Sequence, residues 1–367
     1  MDSVLGAGVA EVTNQLLFDD EVGFQATRAL HDFARSDDER PFLLVASFTH
    51  PHDPYVTRQK YWDRYEGVDI PMPEISQALA VDDPHSIRLR GAIESTRATV
   101  TEQQVRNARR AYYGNVSYVD DWTANLLETL GALGLSDDTV VIALADHGDM
   151  LGERGLWYKM NFFEGSARIP LIVHAPQRFA AKRVAAPVSL VDIVPTLMEL
   201  SGIRTKPVEP LAGTSLLPLC GSPDSGNRTE PAADQDRTVL GEYMAEGSVA
   251  PLHMIRRGSH KFVHCRADPD QLFDLTNDPN ELTNLATDPA FAGTVQSFRD
   301  EVASHWNLDN LTREVLEDQV RRRLVNKALR SGTFTPWDYT PPRDGSNEYM
   351  RNHLDLNEVE RGARWPR

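Results

Sequence analysis

The run Thr139-Val140-Val141-Ile142-Ala143-Leu144, followed at once by Ala145-Asp146-His147, constrains this chain more than any other stretch. A short continuous apolar run predicts a strand buried on both faces of a parallel sheet. In open α/β sheets, ligands bind outside the carboxyl ends of such strands. An aspartate and a histidine leave that end, and Lys159 follows twelve positions after His147 (159 − 147), beyond a glycine-rich turn. Metal ligand, polar partner and anion-binding cation are therefore expected near one strand end.

The neighbouring segments fit this frame. Residues 19–35 predict a helix, with Val22, Ala26, Leu30 and Phe33 on one apolar stripe. Residues 41–48 predict a second buried strand, ending in Thr49-His50-Pro51-His52-Asp53. Residues 56–100 are mixed in character and predict an excursion with little regular structure. Thr101-Glu102-Gln103-Gln104 is a capping box that opens a long helix to about Leu130. Val105, Tyr112, Val116, Val119, Leu126 and Leu130 are expected on or near one face of it. Residues 171–175 predict a strand and 192–200 a helix stopped by Ser201-Gly202. Strand and helix alternating in this way argue a largely parallel α/β sheet.

The pattern changes after 221–237, a stretch rich in Gly, Pro, Asp and Ser that reads as a linker loop. Short strands follow at 238–244, 253–256, 260–265 and 271–275, with Arg257-Gly258-Ser259 as a turn. They predict a small antiparallel sheet. Helices are expected near 290–306 and 312–329, then an extended tail with Trp337, Tyr339 and Trp365. The expected organisation is an α/β domain at 1–220, the linker at 221–237, an antiparallel subdomain at 238–285, and helices with a tail at 286–367.

Composition excludes some functions. With 38 Lys and Arg against 54 Asp and Glu, the net charge is −16. Nucleic-acid and anionic-membrane surfaces need clustered cations, so neither partner is expected. Two cysteines, Cys220 and Cys265, make no disulfide framework and fit a reducing compartment. No apolar run is long enough to span a membrane, and no signal peptide opens the chain, so the expected location is cytoplasmic.

Each candidate residue has two readings. His50 and His52, two apart on an extended segment, point to opposite sides and are not paired ligands of one ion. One of them is a proton donor or anion contact, or else a loop histidine that steadies a proline-rich turn. Asp146 with His147 is a metal pair, or Asp146 caps a turn. Asp149 and Glu153 have turn hydrogen bonds as their first reading and metal binding as their second. Lys159 holds an anionic oxygen, or lies exposed over Trp157. Arg168 pairs with a carboxylate.

Taken together, Ser47-Phe48-Thr49-His50-Pro51-His52-Asp53-Pro54-Tyr55, Asp146-His147-Gly148-Asp149-Met150-Leu151-Gly152-Glu153, Lys159 and Arg168-Ile169-Pro170-Leu171 resemble the type I sulfatases of the alkaline phosphatase superfamily. The wording is similar to the choline sulfatase branch, as is that of Trp157-Tyr158-Lys159-Met160-Asn161-Phe162, of Glu242-Tyr243-Met244-Ala245-Glu246 and of the tail Tyr349-Met350-Arg351-Asn352-His353-Leu354-Asp355. The resemblance covers essentially the whole chain. It implies an alkaline-phosphatase-like α/β fold with a mostly parallel sheet flanked by helices. It also implies hydrolysis of a sulfate ester, choline-O-sulfate, by a formylglycine made from the cysteine of a Cys-x-Pro-x-Arg motif. A divalent cation is implied, calcium first, with manganese or magnesium as alternatives. By resemblance Asp146 and His147 are metal ligands, and His52 contacts sulfate and protonates the leaving oxygen. Lys159 binds a sulfate oxygen, with His50 and Arg168 as further substrate contacts. Glu242 or Glu246 faces a choline head, and Asp355 reaches the choline site of a neighbouring subunit in a homo-oligomer.

The sequence departs from the family at the nucleophile. Cys220-Gly221-Ser222-Pro223-Asp224 has its proline one position late and lacks the arginine, and Cys265-Arg266-Ala267-Asp268-Pro269 does not fit either. The family's N-terminal strand with its paired aspartates is also missing. The expectation is therefore a chain that lacks the N-terminal part and is inactive alone. Two alternatives stand beside it: a phosphonate or phosphodiester hydrolase, and a non-catalytic partner subunit.

Overall fold

The computed structural model describes all residues except 81, 98, 204–206, 222–236, 333–360, 362–363 and 365–367. The chain divides into two compact units. The first holds 1–74, 93–136 and 314–367, and the second holds 75–92 and 137–313. No helix among the described residues is long and apolar enough to cross a membrane.

In the first unit, two helices carry the packing. One spans Asn14–Arg35, five residues longer at its start than expected, because the Thr13 side chain accepts from the Leu16 amide at 3.0 Å and caps it. Its buried stripe is Leu16, Asp19, Gly23, Ala26 and Leu30; Val22 and Phe33 are only half-buried. The other spans Glu102–Ala132 and begins at the expected capping box of Thr101 and Gln104. Its buried face is Ala108, Ala111, Gly114, Asn115, Tyr118 and Leu130, while Val116 is exposed. The buried face is rotated from the stripe expected of the apolar residues, because small and polar side chains mark the close-packed side. Gly114 shows why: a Cβ there would lie 2.9 Å from the Thr57 side chain. Strand β1 (Gly8–Val9) pairs in parallel with β2 (Val56–Thr57). Residues 41–48 form no strand: Leu43 and Val45 are 67% and 75% exposed, so the apolar run found no ladder partner among the described residues. The 56–100 excursion is more regular than expected, with β2 and the helices Gln59–Asp63 and Pro84–Ala92, the last of these in the second unit.

In the second unit, β3 (Val141–Leu144) pairs with β4 (Leu171–His174) in antiparallel register, Val141 opposite His174. The expected parallel pairing, buried on both faces, is not what forms at this pair. Leu144 is 42% and Ile172 60% exposed. A run of apolar side chains specifies a strand but neither its direction nor its cover. A four-stranded antiparallel sheet follows as expected, in the order β5 (Thr238–Tyr243), β6 (Leu252–Arg257), β7 (His260–Cys265) and β8 (Gln271–Asp274). Gly258, at φ 53°, makes the two-residue turn between β6 and β7. The helix Ala292–His305 covers one face of this sheet through Ile255, Phe262, Leu272, Val295, Phe298 and Val302. Each such buried side chain contributes roughly 1.5–3 kcal/mol relative to exposure. The last helix, Leu308–Leu329, starts earlier than expected and buries none of its residues. The linker lies almost wholly outside the described residues, as do Asp355 and the tail aromatics.

Candidate active site

His50 and His52 lie in the first unit and have different surroundings. The Asp19 carboxylate is fully buried. It accepts from the backbone amides of Thr49 at 2.7 Å and His50 at 2.9 Å, and meets His50 Nδ1 at 2.6 Å. Tyr118 packs edge-on against the His50 ring at 5.3 Å. His50 is thus a core residue that fixes the turn. His52 is half-buried, and its Nδ1 hydrogen-bonds the Asp53 carbonyl at 2.7 Å. That bond takes the Nδ1 proton, which puts the ring's lone pair on Nε2.

The second unit holds Asp146, His147, Lys159, Arg168, Glu242 and Glu246. Asp146 is exposed directly beyond β3, and its Oδ1 accepts from the His147 amide at 2.9 Å. His147 Nδ1 donates to the Gly148 carbonyl at 2.8 Å. This fixes the tautomer and leaves Nε2 as the lone-pair nitrogen, 3.6 Å from Asp146 Oδ2. A carboxylate oxygen and an imidazole nitrogen side by side fit two positions of the divalent-cation shell that the resemblance implies. Among the described residues no group of three or more His, Cys, Asp or Glu converges as a complete metal site.

The loop that follows is built on glycine and on strain. A Cβ on Gly148 would sit 2.2 Å from the Gly165 carbonyl oxygen. Of six described non-glycine residues with positive φ, four lie in it: Leu151, Arg154, Tyr158 and Met160. Each costs on the order of 1–3 kcal/mol and persists only where surroundings over-determine it. Asp149 does this with turn hydrogen bonds, accepting from the amides of Leu151 at 2.9 Å and Tyr158 at 3.1 Å. Glu153 accepts from the Ile75 amide at 2.8 Å. Asp149 takes the turn role that was its first reading, whereas Glu153 instead ties the loop to the distant Ile75 backbone.

Lys159 is half-buried between the two strained residues Tyr158 and Met160. Trp157 is buried, so the picture of an exposed lysine lying over it does not hold. Arg168 is exposed at the end of the helix Glu164–Ala167 and makes no ion pair among the described residues, which corrects the expected pairing. Glu242, exposed on β5, accepts from the Trp306 indole at 2.5 Å. Glu246 accepts from the Tyr243 hydroxyl at 3.1 Å. Tyr243 in turn packs edge-on against His85, whose Nε2 hydrogen-bonds the Met160 carbonyl at 2.7 Å. The Glu246 corner and the Lys159 loop are thereby joined through His85.

Sequence reasoning passed over Asp19, His85, Lys261 and Glu281. For Asp19 a signal existed: it stands on the apolar stripe of its helix, three residues after Leu16 and four before Gly23.

Similarity to known proteins agrees with these features. Residues 18–203 match the sulfatase family model, 152–307 the C-terminal model of N-sulphoglucosamine sulphohydrolase, and 313–365 the choline sulfatase C-terminal model. A choline-sulfatase of Rhizobium meliloti is 47% identical over all of this chain, which spans 71% of that relative. The chain belongs to the sulfatase family. Its members are sulfuric ester hydrolases, and the C-terminal match places the chain in the choline sulfatase branch. A multifunctional alkaline phosphatase superfamily protein of Trinickia caryophylli is 32% identical over 79% of the chain and 60% of its own length. Arylsulfatase K of Xenopus laevis is 29% identical over 69% of the chain, which spans about half of that relative, 49%. Among solved structures, the phosphonate monoester hydrolase of Agrobacterium radiobacter superposes with a TM-score of 0.62 at 24% identity, over 77% of this chain and 60% of its own. A putative sulfatase from Bacteroides thetaiotaomicron also gives 0.62, at 22% identity over 80% and 63%. These likenesses carry the expected alkaline-phosphatase-like α/β fold.

Proposed function

We propose that the protein acts in hydrolysis of choline-O-sulfate to choline and sulfate. The identity to a choline-sulfatase over the whole chain, together with the C-terminal match at 313–365, carries this reading. Asp146 and His147 hold a divalent cation, calcium first, with manganese or magnesium as alternatives. When bound, that cation neutralises sulfate charge. Lys159 places a point charge on a sulfate oxygen, and Arg168 adds a second cation from the surface. His52, through Nε2, protonates the leaving alcohol oxygen. Glu246, with Glu242 beside it on the same segment, and Asp355 of the tail face the quaternary ammonium. Assembly into a homo-oligomer through the tail, and a cytoplasmic location, belong to the same proposal.

The nucleophile is outside the set of thiols here. Neither cysteine stands in a Cys-x-Pro-x-Arg motif, and burial raises the pKa of both. The chain by itself is accordingly proposed to bind the ester without turning it over. Calorimetry with calcium present, using choline-O-sulfate and a phosphonate monoester as rival ligands, tests this together with ion chromatography for sulfate. The expected result is at least tenfold tighter binding of choline-O-sulfate and no sulfate release above the uncatalysed rate. Preference for the phosphonate ester would move the substrate class. Release at an enzymatic rate would refute inactivity alone, and binding of neither ligand would leave a non-catalytic partner subunit.

A further inference from the structure

Lys261 is a charged residue in an unusual place. It lies on β7, 1% exposed, on the strand face that also carries Val263 and Cys265. Its Nζ donates to the Phe162 carbonyl at 2.7 Å and to Glu164 Oε1 at 2.8 Å, and forms an ion pair with Glu281 Oε1 at 2.6 Å. Glu281 is itself buried and held at φ 54°. Its second carboxylate oxygen accepts from the Glu164 amide at 2.8 Å. Burial pushes the Glu281 carboxyl upward, and Lys261 opposes that shift. Burying two charges costs several kilocalories before any attraction is returned, so such a pair is weak evidence for stability alone.

What the pair grips is the loop that carries Lys159. Beyond Lys159, the Phe162 carbonyl and both ends of Glu164 bind Lys261 or Glu281. Before it, Arg154 stacks on the Phe163 ring at 4.0 Å and donates to the carbonyls of Asn280 at 2.6 Å and Glu281 at 2.5 Å. Both arms of the loop therefore meet the same corner, residues 280–281. Between the arms, Asn161 Nδ2 donates to the Lys159 carbonyl at 3.2 Å, and His85 holds the Met160 carbonyl. The carbonyls of 159, 160 and 162 are thus each bound by a side chain. Tyr158 and Met160, which flank Lys159, sit at φ 66° and 76°. Conformations like these persist only where the surroundings force them.

We infer that Lys261 and Glu281 are positioning residues that fix Lys159 for an anionic sulfo group. The inference deepens the proposed function and rests on its assignment of Lys159. It is tested on the full chain by hydrogen–deuterium exchange and by affinity for inorganic sulfate. The proteins compared are wild type, Lys159→Ala, Lys261→Met, Lys261→Arg and the Lys261→Met/Glu281→Gln pair, which removes both charges of the ion pair together. In the paired variant, amides of 157–164 should exchange at least tenfold faster while those of the helix Ala292–His305 stay protected. Sulfate affinity should fall at least tenfold, and adding Lys159→Ala should cause no further loss. Lys261→Arg should recover most of both properties. Unchanged exchange in 157–164, or affinity losses that add, would overturn the inference. If wild type bound no sulfate, the Lys159 assignment would fail, and exchange would still decide whether Lys261 and Glu281 hold the loop. If Lys261→Met alone did not fold, the paired variant would still report.

Discussion

His253 on β6 is 1% exposed, and its ring lies 4.6 Å from that of Trp306. Neither ring nitrogen has a hydrogen-bond partner among the described residues. Burial lowers its pKa from the ordinary 6.5, with nearby His264 acting the same way and Glu242 opposing. The sign follows from linkage. As pH falls through 6.5 the unfolded chain takes the proton first, so stability is lost from there down to the depressed folded value. Replacing His253 by Phe should flatten the fall in denaturant midpoint between about pH 6.5 and 5, with a similar midpoint at pH 8. An unaltered pH profile in the variant would refute this origin. At this scale the sequence was informative only where a residue broke its pattern. Asp19 interrupts an apolar helix stripe, and Lys261 interrupts an apolar strand face. Burial of His50 but not His52 was not readable, because alternation gives opposite sides without saying which side is covered.

Among the elements, the loop from Gly148 to Arg168 carries both cations proposed to meet the sulfate, Lys159 and Arg168. A methyl group on Gly148 would collide with the backbone of Gly165, and backbone cannot yield as a flexible side chain does. Gly148→Ala should therefore destabilise the second unit by about 1–3 kcal/mol, the usual cost of overpacking. Urea unfolding followed by a second-unit tryptophan such as Trp157 would measure it, and an unchanged midpoint would rule out so close an approach of the two glycines. The helix start at Thr101 and Gln104 was legible because a capping box is a local hydrogen-bonding pattern. The four C-terminal strands were legible because Gly258 and short alternating runs punctuate them. The antiparallel pairing of β3 with β4 was not, since partner choice is a long-range property that an apolar run does not encode. Residues 41–48 failed as a strand for the same reason.

For the molecule as a whole, the motifs spread from His50 to the tail point to one family, and the similarity at 18–203 and 313–365 agrees with them. The Asp146–His147 pair supplies a carboxylate and an oriented imidazole, and Lys159 stands on a strained, buttressed loop in the same unit. On the function proposed for it, this segment recognises a sulfate ester. The decisive measurement is calorimetric titration of choline-O-sulfate, in calcium, into wild type and Lys159→Ala. Binding by the variant should be at least tenfold weaker, or about 1.4 kcal/mol, with its fold intact. Equal affinity of the two proteins would refute recognition through Lys159.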